Sequence, residues 1–308
     1  MYKLKSPLSV GFQIIGSCNL KCAYCYAHKA APIIMQTRDA LKIVDDLIEL
    51  EIVSVSIEGG EPLLHPDFEK ITLKFLDAGI DVALLTNGTI KNKNVTRSIK
   101  ALSDKYDFFT FQISLDSYNV EVNEITRGRS EAVLKNILEF SKDGIEITIA
   151  TVVHAFNINH IFEMMDKLRT YVKNFHFMNL MPISGGQYKI NGLIPKPKLL
   201  KEFWLKLLEY RHNNPELFIS TPFNDFNENF GIGVLNCNGC TAAVTRATIT
   251  PDMLLIPCGI CSDLVLGDLK KQKIENFWNS EKVNLLRNIK YPLCKLSETK
   301  KESIVNIS

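Results

Sequence analysis

Cys18, Cys22 and Cys25 stand within the run Gly16-Ser17-Cys18-Asn19-Leu20-Lys21-Cys22-Ala23-Tyr24-Cys25-Tyr26. Three thiolates on one short loop suffice for three irons of a four-iron cluster, leaving the fourth iron without a protein ligand. An open iron of that kind can take a chelating small molecule and pass it an electron. A zinc site would need four ligands, and only His28 is near in sequence to act as the fourth. Further along, Glu58-Gly59-Gly60-Glu61-Pro62 combines two glycines with a carboxylate. A backbone without Cβ atoms lets a small molecule approach closely, and a carboxylate suits an amino group.

A second cysteine group follows the pattern C-x2-C-x17-C-x2-C at Cys237, Cys240, Cys258 and Cys261, with Cys294 standing alone. On spacing this fits a zinc ribbon as well as an iron–sulfur site. Eight cysteines in 308 residues, gathered in two groups, argue for metal or redox chemistry over disulfides in a chain whose N-terminus shows no secretion signal.

The elements that must position these residues alternate. Apolar runs at 8–15, 53–57, 81–85, 108–115, 145–153 and 174–180 read as strands. Helical patterns over 37–51, 67–78, 94–103, 119–126, 131–142 and 158–172 lie between or after them. Six such strands predict parallel βαβ units in a partial (β/α)6 barrel. In such folds the functional groups stand at the C-terminal ends of strands. The cysteine loop, the Gly-Gly-Glu turn, Asn87 and Asp116 all fall there. A Pro/Gly-rich connector at 182–196 divides a core, residues 1–196, from a small C-terminal domain, 197–308. That domain opens with a helix over 198–213. It is expected to hold a hairpin of 248–250 and 254–256 and one closing helix over 273–289.

Net charge is +2 and hydrophobic residues make up 46% of the chain. No strong field points to nucleic acid or a membrane surface. No apolar stretch reaches the ~20 residues that span a bilayer. The expectation is a cytoplasmic protein.

Together the C-x3-C-x2-C loop and Gly59-Gly60-Glu61-Pro62 resemble the radical S-adenosylmethionine (radical SAM) superfamily. The resemblance implies that Cys18, Cys22 and Cys25 hold a [4Fe-4S] cluster whose open iron binds S-adenosylmethionine. Reduction would cleave the sulfonium to methionine and a 5′-deoxyadenosyl radical, which removes a hydrogen atom from a substrate. It further implies cofactor contacts at Tyr24 (adenine), Gly59, Gly60 and Glu61 (methionine amino group), Ser114 (ribose or carboxylate), Arg127 (methionine carboxylate), Asn87 and Thr151. Cys240 and Cys258, with Ile249-Thr250-Pro251-Asp252-Met253-Leu254 between them, resemble the auxiliary-cluster domains called SPASM or twitch. Met253 stands where that family has glycine. The implied second [4Fe-4S] cluster would take Cys240, Cys258, Cys261 and Cys294, with Cys237 as an alternative ligand. One cysteine is then left over. It is either an idle thiol or a hydrogen-atom donor, with Cys237 or Cys261 as the candidate.

Members of similar size modify ribosomally made peptides, so the expected activity is peptide maturation by epimerisation or crosslinking. The expected partners are a peptide substrate and a flavodoxin or ferredoxin as electron donor, with no nucleic acid and no membrane. The alternatives are a radical dehydrogenase or epimerase of an aminocyclitol or sugar, and a non-enzymatic iron–sulfur or zinc scaffold.

Overall fold

The computed structural model describes residues 4–29, 32–180, 192–221, 240–289 and 293, without the side chains of His28 and Lys29. The chain alternates through β1 (Ser9–Ile15), α1 (Thr37–Glu49), β2 (Ser54–Gly59), α2 (Phe68–Asp77), β3 (Asp81–Thr86), α3 (Lys93–Lys105) and β4 (Phe109–Ser114). It continues through α4 (Val120–Thr126), α5 (Ser130–Lys142), β5 (Thr148–Val153), α6 (Ile161–Leu168) and β6 (Asn174–Asn179). Then come α7 (Pro197–Asn213), β7 (Phe218–Ser220), β8 (Arg246–Ile249), β9 (Leu254–Ile256), β10 (Gly267–Asp268), α8 (Ile274–Trp278) and α9 (Glu281–Arg287).

Among the described residues the strands form one ten-stranded sheet in the order β10-β9-β8-β1-β2-β3-β4-β5-β6-β7. From β1 to β7 every neighbouring pair is parallel, which is the mixed α/β architecture expected of repeated βαβ units. Two features extend it. The short β7 adds a seventh parallel strand beyond β6, after the proline-rich connector. At the other edge, β8 pairs parallel to β1 and then turns antiparallel into β9. The C-terminal hairpin therefore continues the core sheet.

The two faces of this sheet differ. Phe12, Ile57, Leu84, Phe111, Ile113, Ile149, Phe175 and Phe177 share the helix-facing parity and are at most 1% exposed. Phe12 packs edge-on against Phe75 of α2, and Phe111 against Phe140 of α5. On the opposite parity Ser56, Ala83, Leu85, Gln112, Ser114, Val152, His176 and Met178 are only half-buried. Parallel sheets are ordinarily covered on both faces. Here the described residues leave the second face partly open, as a chamber, although Gln13, Glu58 and Ala150 on it are buried.

Local signals set the element ends. Asn92 caps α3, accepting from the backbone N–H groups of Asn94 and Val95 at 3.0 Å each. The expected single helix over 273–289 is two helices. Ser280 Oγ accepts from Val283 N and starts α9 afresh, so the chain breaks at Asn279-Ser280. The hairpin turn puts Met253 at φ +68°, a left-handed conformation that favours glycine.

Candidate active site

The cysteine loop leaves the C-terminal end of β1 and is tied down from several sides. Gly16 N donates to Ile33 O at 2.7 Å, Ala23 N to Thr126 O at 2.7 Å, and Glu61 N to Ser17 O at 2.9 Å. Gly59 and Gly60 are required by this packing. A Cβ on Gly59 would stand 2.2 Å from Ile15 O, and one on Gly60 2.0 Å from Ser17 O. Cys18 is exposed and Cys22 and Cys25 are half-buried; none of the six described cysteines forms a disulfide. Burial pushes the Cys18 and Cys25 thiols up, and the neighbouring Cys22 pushes both the same way. Leu20 N and Asn87 Nδ2 reach the Cys18 sulfur at 3.4 and 3.7 Å. These thiols ionise reluctantly alone and would be relieved by a cationic metal centre. Among the described residues no three His, Cys, Asp or Glu side chains close onto one metal-ion position.

Glu61 is sealed from solvent. Its Oε1 accepts from Leu63 N at 3.1 Å and Thr86 Oγ1 at 2.6 Å, and its Oε2 accepts from Asn87 N at 2.7 Å. Burial pushes its carboxyl up to about 7 against these three hydrogen bonds. Glu61 thus clamps the end of β3 to the Gly-Gly turn. Asn87 in turn donates to Asn19 Oδ1 at 2.8 Å, joining β3 to the cysteine loop.

Across the chamber, Asp116 follows β4 and is fully buried. Tyr24 of the cysteine loop donates its hydroxyl to Asp116 Oδ2, and Thr126 Oγ1 donates to the same oxygen at 3.0 Å. Arg127 Nε lies 3.1 Å from Asp116 Oδ1 but out of line for a hydrogen bond. Its guanidinium carbon stands 5.3 Å from the Tyr24 ring centroid. Burial opposes ionisation of Asp116, yet the Arg127 charge, His154 and the Tyr24 hydroxyl hold its carboxyl well below the usual range. Burial also opposes the Arg127 charge, and Asp116 outweighs it, keeping the guanidinium charged. Ser114 is half-buried on the chamber face. Thr151 is not there: it shares the helix-facing parity of Ile149 and Val153, and its hydroxyl donates to Leu115 O at 2.7 Å.

The second group sits beyond the β8–β9 hairpin. Cys258 and Cys261 flank a single 3-10 turn, with Cys261 buried and Cys240 and Cys258 half-buried. A hydrogen bond from Cys261 draws the Cys258 thiol down to about 7 against burial, helped by backbone N–H groups and the Arg246 charge. Tyr26 links the two groups, since a Cβ on Gly259 would meet its ring at 2.5 Å. Cys237 and Cys294 lie outside the described residues.

Residues 12–168, just over half of the chain, match the sequence profile of the radical SAM superfamily. The chain belongs to the radical SAM superfamily. Residues 240–297 of this radical SAM protein match a SPASM iron–sulfur cluster-binding domain.

Among its relatives is the antilisterial bacteriocin subtilosin biosynthesis protein AlbA of Bacillus subtilis strain 168, 27% identical over 93% of this chain and 62% of AlbA. The chain therefore spans less than two thirds of that relative. A GTP 3′,8-cyclase of Clostridium botulinum strain Langeland is 28% identical over 78% of this chain and 77% of the cyclase. The fold is that of Streptococcus suis SuiB bound to S-adenosylmethionine, with a TM-score of 0.77 and 19% identity over 93% of this chain and 69% of SuiB.

The radical SAM fold brings Tyr24, Gly59, Gly60, Asn87 and Arg127 around the cysteine loop. His176 Nδ1 and Ser220 Oγ meet at 2.7 Å in register on the chamber face. No spacing signal marks them, because β7 is only three residues long.

Proposed function

We propose that this protein is a peptide-modifying radical SAM enzyme. The observation that carries the reading is a three-cysteine loop stapled to a Gly-Gly turn, an arginine and a tyrosine over one open sheet face. In this reading Cys18, Cys22 and Cys25 hold the [4Fe-4S] cluster. Gly59 and Gly60 admit the methionine end of the cofactor, Arg127 faces its carboxylate, and Tyr24 and Ser114 flank the nucleoside. When bound and reduced by a flavodoxin- or ferredoxin-type donor, the cluster supplies the electron that cleaves S-adenosylmethionine to the radical that takes a substrate hydrogen. The chain's own task is to bind, orient and exclude water. Glu61 does so indirectly, through Thr86 and Asn87. The half-open chamber face supplies room for a substrate segment, and AlbA's role in bacteriocin biosynthesis supports a peptide as that substrate. Cys240, Cys258 and Cys261 belong to the second cluster, with Cys294 completing it. Because Cys261 is sealed and hydrogen-bonded to Cys258, Cys237 is the candidate hydrogen-atom donor for epimerisation.

A small-molecule substrate is the second reading, favoured by the cyclase relative. Both are tested by anaerobic reconstitution with iron and sulfide, then dithionite, S-adenosylmethionine and synthetic peptides encoded by short reading frames beside the gene. Peptide-dependent 5′-deoxyadenosine, with solvent deuterium entering the peptide or hydrogen lost on crosslinking, is expected. Stimulation by GTP and by no peptide would replace the peptide reading. No 5′-deoxyadenosine from fully iron-loaded protein would end both.

A further inference from the structure

Asp116 has a role that neither cysteine group supplies. Its carboxylate is fully buried, and residues from three separate parts of the chain converge on it. The cysteine loop contributes the Tyr24 hydroxyl and, through Ala23 N to Thr126 O at 2.7 Å, a backbone tie beside it. The end of α4 contributes Thr126 Oγ1 at 3.0 Å and Arg127 Nε at 3.1 Å. Strand β5 and the turn after it contribute Val152 N at 3.4 Å and His154 Nε2 at 3.5 Å. The tautomer of His154 follows from its surroundings. Nδ1 accepts from Phe156 N and Asn157 N at 3.2 and 3.3 Å, so the ring proton resides on Nε2, the atom facing Asp116.

We propose that Asp116 is the positioning residue of the cofactor site: one carboxylate fixes both the Tyr24 ring and the Arg127 guanidinium before the cofactor arrives. The side of Arg127 that carries Nε faces Asp116. Nε makes no hydrogen bond among the described residues, so its contact with Asp116 is an ion pair. A guanidinium held on one edge by an ion pair keeps its other edge available to a ligand carboxylate. A planar ring held by its hydroxyl has one torsional state instead of several, so binding loses less side-chain entropy. The charge balance matters as well. Without Asp116, the buried Arg127 is uncompensated and the loop loses its only described side-chain tie to β4. Asp116 acts through Tyr24 and Arg127, and touches neither cluster nor substrate.

The proposal rests on the cofactor reading above, so both are measured on the same full-length, anaerobically reconstituted protein. Equilibrium dialysis with S-adenosylmethionine gives the affinity, and electron paramagnetic resonance of the reduced cluster, with and without S-adenosylmethionine, reports its arrival at iron. Asp116→Asn keeps the shape and removes the charge. We expect its iron content to stay at the wild-type level, its affinity to fall about tenfold or more, and its cofactor-induced spectral change to weaken. Tyr24→Phe removes one hydrogen bond and leaves the charge pair, and is expected to lose about threefold. It carries the test if Asp116→Asn does not fold. Wild-type affinity and spectra in the folded variants, with only a lower melting temperature, would reduce Asp116 to a structural role and overturn the proposal. Wild-type protein with full iron and no affinity for S-adenosylmethionine would overturn the cofactor reading as well.

Discussion

The two cysteine groups of this protein are built differently, and the difference indicates what each is for. The first rides on a loop after the C-terminal end of β1, with Cys18 exposed and Asn87 Nδ2 reaching its sulfur at 3.7 Å. Its Cys18 and Cys25 thiols are pushed up by burial and by the neighbouring Cys22. The second is folded onto a hairpin and a 3-10 turn, with Cys261 sealed and Cys258 drawn down to about 7 by its neighbour. An exposed, tightly braced loop keeps a ligand position open. A sealed thiol hydrogen-bonded to a half-buried one suits complete ligation by protein. The backbone follows the same division. Turns at the first site use glycine where φ is positive or neighbours are close, at Gly59 and Gly88, whereas the second places Ala243 and Met253 at φ +59° and +68°.

The largest test of this division is Cys22→Ala. It should abolish 5′-deoxyadenosine formation and cost about four irons, while iron held by the second group stays; iron analysis and product chromatography decide. Loss of all iron would show that the two groups assemble as one. Cys261→Ala is expected to do the reverse. The second site's iron goes, the melting temperature falls by about 5 °C or more, and cleavage of S-adenosylmethionine remains measurable.

Glu61→Gln comes next. Its amide would set a donor against Asn87 N–H, costing about 1–3 kcal/mol. The sign with pH is fixed by the raised carboxyl. Glu61 contributes stability below its ordinary range, and that contribution is lost as pH rises through about 7. The wild-type melting temperature should therefore fall more steeply than the variant's between about pH 4.5 and 7. Parallel curves would show that Glu61 is ionised throughout.

Gly259→Ala probes the contact between the two groups. A Cβ 2.5 Å from the Tyr26 ring forces the turn and the loop apart. The expected cost is about 1–3 kcal/mol in chemical denaturation, regained when Tyr26 is also made Leu. The smallest effect is Ala243→Gly, which relieves the left-handed backbone but deletes a buried methyl, for a net gain below about 1 kcal/mol. A clear loss would show that the methyl outweighs the backbone.

Much of this arrangement was legible in advance, for identifiable reasons. The six core strands carried alternating or β-branched runs long enough to stand out, and Gly79 and Gly144, at φ +78° and +74°, marked helix ends. Cys18, Cys22, Cys25, Gly59 and Gly60 were legible because their spacing is itself the chemistry. Thr151 was not, because strand parity decides its direction and the parity is counted from pairing with β4. Nor was the enclosure of Glu61 by Leu63, Thr86 and Asn87, contacts up to 26 residues away in sequence. Ser280 splits the last helix because a capping hydroxyl competes with continuation of the helical pattern, which periodicity alone does not weigh.

By itself, the sequence determined the repeating βαβ core, the two thiol groups and the glycine-rich turn, since each depends on residues close together along the chain. Only the tertiary structure decided that β8 would join β1 and β7 would join β6, and that one buried carboxylate would gather Tyr24, Arg127 and His154. Those outcomes depend on which strands become neighbours and which faces they turn to each other, and burial then fixes the strength of every charge placed between them.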